Sequence, residues 1–453
     1  MLQLYDTATG RVRELALREP GKVSLYVCGP TVYDLPHIGH GRSMLVYDVL
    51  RRYLEWRGLE VRHVSNVTDI DDKIIERAAR EGRPAEEVAR QFEHAWFDAA
   101  DALGALRPHE TPRATEYVEA MVQLVADLVG GGSAYETSDG VYFAVDALDG
   151  YGLLAGQSLD SLRAGERVEV ADEKRSPHDF ALWKKAKPGE PSWPSPWGAG
   201  RPGWHTECVV MSLRLLGEGF DLHAGGLDLR FPHHENERAQ AVAMGRSFAR
   251  HWMHHAFVET AGEKMSKSLG NFTSLPDMLA HTDARAYRLL VVQSHYRSPL
   301  EVTPESVQRA ERTLGRLDEL ARKWSALGPD RPVAPPDPEA LARFGRAMDD
   351  DLATPAATAL LFELVGTANV ALDAGDLLGA APIVAAVEQL AGALGLQAST
   401  GAAELDDEAT RLVEARDAAR AARDYATADA LRDRLSALGW VVKDGPSGTM
   451  IHR

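Results

Sequence analysis

The fold is decided by the stretch Val23-Ser-Leu-Tyr-Val-Cys-Gly-Pro-Thr-Val-Tyr-Asp-Leu-Pro-His-Ile-Gly-His40, in which an apolar run gives way to a helical pattern. Apolar residues then recur at helical spacing to about Arg57, and Glu60–Asn66 predicts a second strand. A second helix is expected from Asp71 onward. Strand, helix, strand and helix over residues 22–80 predict a doubly wound parallel sheet, typical of an α/β, Rossmann-type domain.

His37-Ile-Gly-His40 stands at the change from strand to helix. The free N–H groups and the dipole of a first helical turn favour a negative triphosphate, and Gly39 leaves room for a nucleotide base beside the backbone. We expect His37 and His40 to donate hydrogen bonds in the transition state. A core histidine turn explains this motif equally well when it is taken alone.

Lys264-Met-Ser-Lys-Ser268 lies in a polar stretch bounded by Gly262 and Gly270, which would let the stretch move as a lid. Lys264 and Lys267 can balance the charge that develops on pyrophosphate. Alone, the motif also fits a solvated basic loop. Together and in this order, the two motifs predict activation of an amino acid by ATP with Mg²⁺.

The composition narrows the class of protein. The 453 residues suggest about three domains, and a formal charge of −17 argues against a protein that coats nucleic acid indiscriminately. No apolar run reaches the roughly 18 residues of a membrane span, and the N-terminus lacks a basic segment followed by an apolar one. We expect a soluble cytoplasmic protein with no membrane partner.

Composition shifts predict five parts. Residues 81 to about 175 carry helical periodicity, the stretch 185–197 is too proline-rich for regular structure, and five prolines fall within 329–338. The expected parts are the first half of the catalytic domain (1–110), an inserted subdomain (111–200), the second half with the lysine motif (201–310), a helical bundle stem (311–396) and a small C-terminal domain (397–453).

Two cysteines exclude a disulfide framework and leave a metal site, one bridge or two buried thiols. His233 and Glu237 are four residues apart and share a helix face, so that with Cys28 and Cys208 they could complete a tetrahedral Zn²⁺ site. From spacing alone, buried inert cysteines beside a solvated helix start remain the preferred interpretation.

Several motifs together resemble the bacterial class I cysteinyl-tRNA synthetases, from the first residues to the last. They are the two motifs above, Tyr26-Val-Cys-Gly-Pro-Thr-Val-Tyr-Asp34, Asn66-Val-Thr-Asp-Ile-Asp-Asp-Lys73, Gly203-Trp-His-Thr-Glu-Cys208 and Phe231-Pro-His-His-Glu-Asn-Glu237. The resemblance implies one zinc ion per chain, held by Cys28, Cys208, His233 and Glu237, with an open position for the substrate thiol. Zinc would prefer this thiol to the hydroxyl of serine, so no editing domain is expected.

Three further residues are candidates for the cysteine pocket. Thr68 follows the second strand, where ligands gather in such sheets, although a polar turn capping the next helix is an equal alternative. The resemblance suggests Trp204 and His223 as walls of the pocket, and ordinary packing explains them equally well.

The C-terminal domain resembles an anticodon-binding domain. Residues 411–453 hold eight Lys and Arg against six Asp and Glu, and Arg416, Arg420 and Arg423 share a predicted helix face. Arginine and aspartate can pair with base edges, and tyrosine can stack on an unpaired base. The candidates are Arg420, Tyr425, Asp429 and Asp444; a salt-bridged helical hairpin is the alternative.

The resulting prediction is an ATP-dependent ligase that forms cysteinyl-adenylate and transfers cysteine to tRNA(Cys), acting as a monomer. One rival is a related ligase that passes activated cysteine to an amino sugar and has no need of residues 397–453. The other rival is a noncatalytic RNA-binding paralogue.

Overall fold

The computed structural model describes residues 2–156, 173–260, 263–264, 274–400, 407–422, 424–438, 440–445 and 448–452. The strands are β1 (Gln3–Asp6), β2 (Arg11–Glu14), β3 (Lys22–Val27), β4 (Glu60–Ser65), β5 (Ala134–Glu136), β6 (Gly140–Phe143), β7 (Phe180–Lys185), β8 (Gly200–Pro202), β9 (Leu222–Gly226), β10 (His251–His255), β11 (Val258–Thr260), β12 (Glu263–Lys264), β13 (Leu300–Glu301), β14 (Val441–Gly445) and β15 (Gly448–His452). The helices are α1 (Ile38–Trp56), α2 (Asp72–Glu81), α3 (Ala85–Ala102), α4 (Val118–Gly130), α5 (Trp204–Leu216), α6 (Glu235–Ala243), α7 (Leu275–Leu279), α8 (Ala284–Gln293), α9 (Pro304–Ala326), α10 (Pro338–Asp349), α11 (Thr354–Asp373), α12 (Leu377–Ala393), α13 (Asp407–Ala421) and α14 (Tyr425–Ala437).

The central sheet has the order β10-β9-β3-β4, and every pairing in it is parallel. Residues 23–27 of β3 are all buried, as expected for a parallel strand covered by helices on both faces. The alternation predicted for residues 22–80 is therefore confirmed. The chain passes from β3 to β4 on one side and later continues through β9 and β10 on the other. A crevice consequently opens at the carboxyl ends of β3 and β9.

A second sheet, antiparallel and of order β5-β6-β7-β8, lies between the two halves of the parallel sheet in sequence. The helical periodicity expected over 81–175 is right for α3 and α4 but wrong for residues 134–136 and 140–143. These short segments become strands because β6 pairs with β7, about forty residues later, which no local pattern indicates.

The chain divides into two units. One contains residues 1–310, 342–359 and 392–396, and it holds both sheets described above. The other contains residues 311–341, 360–391 and 397–453. Within this second unit, Nζ of Lys323 on α9 lies 3.2 Å from the side-chain oxygens of both Asn369 and Asp373 on α11.

The C-terminal residues form two helices and a β-hairpin. Helices α13 and α14 pack through a small apolar cluster of Ala409, Leu412, Leu435 and Trp440. Strands β14 and β15 pair in antiparallel fashion, with Asp444 opposite Thr449. The N–H and hydroxyl of Thr449 both donate to Oδ1 of Asp417 on α13, which fixes the hairpin against the helix.

One described helix, α11, is long and apolar enough to cross a membrane, with a mean hydropathy of 1.4 in its most apolar window. Leu361, Val365 and Ala368 on this helix are fully buried within the protein. Core helices of soluble proteins meet the same length and composition test, so this helix is weak evidence for a span.

Candidate active site

The crevice at the carboxyl end of β3 brings four donors together. Cys28 follows β3, Cys208 lies on α5, and His233 and Glu237 come from the start of α6 and the turn before it. Their ligand atoms all lie within 4.8 Å of one another. The two Sγ atoms are 3.6 Å apart, too far for a disulfide, and Nε2 of His233 is 3.0 Å from Oε1 of Glu237.

These separations suit a tetrahedral zinc ion, whose bonds of about 2.0–2.3 Å place its ligands roughly 3.3–3.8 Å apart. Burial raises the pKa of the Cys28 thiol well above its ordinary value and that of Cys208 to about 11. Burial lowers the pKa of His233 well below its usual range, which leaves a neutral imidazole. Two buried thiols beside a carboxylate and a neutral imidazole fit a divalent cation, which deprotonates the thiols it binds.

A second set of donors shares Cys28 and Glu237 but replaces the other two with His223 and His234. Nε2 of His223 lies 2.7 Å from Oε2 of Glu237, and Nε2 of His234 lies 3.2 Å from Sγ of Cys28. The far side of His234 contacts His254, with 2.8 Å between ring nitrogens. His223 and His234 therefore contact two of the candidate ligands directly.

Trp204 stacks on the imidazole of His233, with 4.0 Å between ring centroids. His205 approaches the same ring, with 2.9 Å between the two Nδ1 atoms. Trp204 is partly exposed, whereas His223, the other expected wall of the pocket, is fully buried. The two residues thus occupy different positions: Trp204 covers the ring of His233, and His223 contacts the carboxylate of Glu237.

Thr68 lies in a buried network beside the donors. Its hydroxyl donates to Oε2 of Glu207 over 2.6 Å and accepts a hydrogen bond from the Asn66 amide over 3.3 Å. Oδ1 of Asn66 accepts the N–H of Gly29, which links the ends of β3 and β4. Only 1% of Thr68 is exposed, so the hydroxyl is engaged by protein groups.

His37 and His40 cap the helix that they begin. The N–H of each residue donates to Nδ1 of the other over 3.2 Å, and the two rings stack with centroids 3.6 Å apart. The N–H of His40 is therefore not free, contrary to the expectation of open donors in the first turn. Gly39 lies between them in this turn.

The lysine motif is described only in part. Lys264 belongs to β12, whose backbone pairs with β11 at Glu259. Lys267 lies outside the described residues. The chain re-enters the described part at Ser274, which forms a β-bridge with His37. After the motif, the described chain therefore resumes beside the histidine turn.

The C-terminal candidates belong to the second unit. Tyr425, the first residue of α14, is 63% exposed, and Asp429 is exposed one turn later on the same face. Arg420 is partly exposed near the end of α13. Arg416, expected on the same face, is buried and donates to the Thr449 hydroxyl. Arg423 and the side chain of Asp444 lie outside the described part.

Comparison with known proteins finds three family models that match successive parts of the chain. The family described as tRNA synthetases class I (C) catalytic domain matches residues 14–312, a DALR domain matches 343–398, and the Cysteinyl-tRNA ligase anticodon binding domain matches 402–450. Cysteine–tRNA ligases of Chromobacterium violaceum and Alkalilimnicola ehrlichii are both 46% identical, over 100% of this chain and of their own. The chain belongs to the cysteine–tRNA ligase family.

Solved structures agree on the fold of this cysteine–tRNA ligase family member. A methionyl-tRNA synthetase of Mycobacterium tuberculosis, in complex with methionyl-adenylate, superposes with a TM-score of 0.60 at 17% identity, covering 90% of this chain and 96% of that one. A putative arginyl-tRNA synthetase of Campylobacter jejuni gives 0.56 at 12% identity, over 85% and 95%. At these identities the likeness concerns the class I synthetase fold.

Five residues of the site were not predicted from the sequence of this cysteine–tRNA ligase family member. They are Asn66, His205, Glu207, His234 and His254, which surround the four donors or Thr68. Two features of the sequence could have indicated them: the His233-His234 doublet, and the position of His205 and Glu207 just before Cys208.

A cavity of about 1040 Å³ lies between α2, α3 and residues 189–193. Asp69 lines this cavity, but none of the four donors does.

Proposed function

We propose that this protein activates L-cysteine with ATP to cysteinyl-adenylate and transfers the cysteine to tRNA(Cys), and that Zn²⁺ recognises the substrate thiol. The observation that carries the proposal is the buried set Cys28, Cys208, His233 and Glu237, with 3.0–3.7 Å between neighbouring donor atoms. A zinc ion held there would supply an open coordination position that accepts a thiol far better than a hydroxyl.

Residues around the donors would hold and orient them. His205 and Trp204 contact the ring of His233, and His223 contacts Glu237, so each protein group is fixed before substrate arrives. In the proposal Trp204 also covers the substrate cysteine. Thr68 and His223 form the remaining contacts of that pocket, directly or through Glu207 and Glu237.

Adenylate formation needs positioning and charge stabilisation more than a general base. In the proposal His37 and His40 exchange their mutual hydrogen bonds for bonds to ATP. Lys264 and Lys267 balance charge on the departing pyrophosphate, and Gly39 accommodates the nucleotide. Mg²⁺ accompanies ATP as part of the substrate.

The tRNA would bind through the C-terminal residues, with Arg420, Tyr425, Asp429 and Asp444 as contacts. A match to an anticodon-binding domain over 402–450 supports this part of the proposal. We also propose the five-part division at 110, 200, 310 and 396, a monomeric state and a cytoplasmic location.

The decisive experiment measures zinc content and cysteine-dependent ATP–pyrophosphate exchange on one purified sample, with serine as the control amino acid. One zinc per chain and exchange with cysteine alone are expected. Cys208→Ser should lose both zinc and exchange, whereas Val209→Ala, which removes buried volume from the same helix turn, should retain zinc. Exchange without zinc, or zinc retained by Cys208→Ser, contradicts the proposed site.

A further inference from the structure

Arg42 lies on α1, five residues after His37, and is fully buried. Its guanidinium donates to main-chain carbonyl groups outside its own helix. Nη1 lies 2.6 Å from the carbonyl oxygen of Phe257, and Nη2 lies 2.5–3.3 Å from the carbonyl oxygens of His295, Tyr296 and Ser298. One side chain therefore connects the helix of the histidine turn to two other segments of the chain.

The charge of Arg42 has an unusual environment. Burial lowers its pKa to about 10, which still leaves it protonated at neutral pH. Within the described part of the chain, its partners are carbonyl groups, and no carboxylate pairs with it. A buried cation destabilises the folded protein unless its hydrogen bonds are made. Loss of any one of these carbonyl groups would therefore raise the free energy of the folded state. The contact therefore resists displacement of either segment.

The segment held by Nη1 leads to the lysine motif. Phe257 immediately precedes β11, and Glu259 of β11 pairs with Lys264 of β12. The carbonyl group of Phe257 is thus two residues and one strand pairing from Lys264. The contact between Arg42 and this carbonyl group therefore links the helix of the histidine turn to the strand pair that carries the first lysine.

The described chain that follows the motif contacts the start of α1. The N–H of Leu275 donates to the carbonyl of Pro36 over 2.8 Å, next to the bridge between Ser274 and His37. A Cβ added at Gly41 would lie 3.0–3.1 Å from side-chain atoms of Tyr287 and Leu275. The segment that carries the motif is therefore in contact with the start of α1 before the motif, at Phe257, and after it, at Leu275.

We propose that Arg42 is a positioning residue for adenylate formation, which sets the β11–β12 hairpin and hence Lys264 relative to His37 and His40. The proposal rests on the proposed function, since it assigns Arg42 to the same ATP-dependent step. Arg42 acts through the carbonyl groups that it holds, without touching the substrate.

The test compares Arg42→Lys and Arg42→Met in ATP–pyrophosphate exchange, with rates normalised to zinc content. Misplacement of a catalytic group by about 1 Å costs roughly a hundredfold in rate. Arg42→Met should lower kcat by about tenfold to a hundredfold and raise the KM for ATP, while the KM for cysteine stays unchanged. Arg42→Lys, which keeps a donor for the Phe257 carbonyl, should recover part of the loss.

Arg288→Lys is the matched control. Arg288 is also buried and donates to Asp48 and to the carbonyl groups of Leu103 and Leu394, away from the lysine motif. The substitution Arg288→Lys should lower the melting temperature and leave the KM for ATP unchanged. Equal kinetic effects of Arg42→Lys and Arg288→Lys, or an unchanged KM for ATP in both Arg42 variants, overturn the proposal.

A double-mutant cycle separates positioning from general damage. If Arg42 acts through Lys264, the effect of Arg42→Lys should shrink severalfold in a Lys264→Ala background, because neighbours that act as a unit are not additive. Fully additive effects overturn the proposal. Failure of the proposed function is distinct from this result, since the unmodified protein would then show no cysteine-dependent exchange.

Discussion

Nε2 of His223 lies 2.7 Å from Oε2 of Glu237, and both side chains are fully buried. His233 contacts the other oxygen of the same carboxylate at 3.0 Å. Glu237 is therefore held from both sides, by the imidazole of His223 in β9 and by that of His233 in the turn before its own helix. This arrangement is typical of a metal ligand whose orientation is set by its neighbours.

We predict that His223→Gln weakens zinc binding by about tenfold to a hundredfold, because the Glu237 carboxylate loses its orienting partner. Competition with a chromogenic chelator measures this affinity directly. His251→Gln, a change at another buried histidine in the same sheet, is the control and should leave the affinity unchanged. A higher KM for cysteine at unaltered zinc affinity would instead indicate that His223 contacts the substrate directly and does not act through Glu237.

A second prediction concerns stability at low pH. Burial lowers the pKa of His63 from 6.5 to about 3, and among the described residues neither ring nitrogen has a hydrogen-bond partner. Between these values the unfolded chain binds a proton that the folded chain excludes, so stability falls as the pH falls through this window. Each such group contributes about 1.4 kcal/mol per pH unit.

His63→Leu should therefore reduce the loss of unfolding free energy between pH 6.5 and pH 5 by about 2 kcal/mol. Urea denaturation at the two pH values measures the difference. Val64→Ala, on the same strand and fully buried, should lower stability equally at both. An unchanged pH dependence in His63→Leu would show that this histidine has the same pKa in the folded and the unfolded protein.

A third prediction concerns the contact between β3 and β4. A Cβ added at Gly29 would lie 1.6 Å from the carbonyl oxygen of Asn66, so one strand end would have to move. Gly29→Ala should destabilise the protein by about 3 kcal/mol, measured by thermal or urea denaturation. Gly130→Ala, where the added carbon meets no atom of the described chain within 4 Å, should leave stability unchanged or raise it slightly. Equal stabilities of the two variants would contradict this packing.

A fourth prediction separates tRNA charging from cysteine activation. Tyr425 is 63% exposed, and stacking on a base contributes about 1–3 kcal/mol. Tyr425→Ala should lower kcat/KM for tRNA by about fivefold to a hundredfold and leave ATP–pyrophosphate exchange unchanged. Tyr425→Phe keeps the aromatic ring, so its kcat/KM for tRNA should remain close to that of the unmodified protein. Equal charging by Tyr425→Ala and the parent would remove this residue from the interface.

Much of the fold followed from local patterns. Apolar spacing predicted β3, α1, β4 and the parallel sheet. The strands at 134–136 and 140–143 were missed because their pairing with β7 is nonlocal. Propensity describes neighbours in sequence, whereas a strand is stabilised by neighbours in space.

The candidate site divides in the same way. Its four donors were named from a resemblance carried by motifs, since 180 residues separate Cys28 from Cys208 and no spacing rule connects them. The sequence by itself determined the residue types, the order of the motifs and the alternation of strands and helices. Only the tertiary structure decided that His37 and His40 cap each other, that His223 supports Glu237, and that Arg42 binds carbonyl groups of two distant segments. Those contacts join segments that are far apart in the chain, and only the packing of the folded protein brings such segments together.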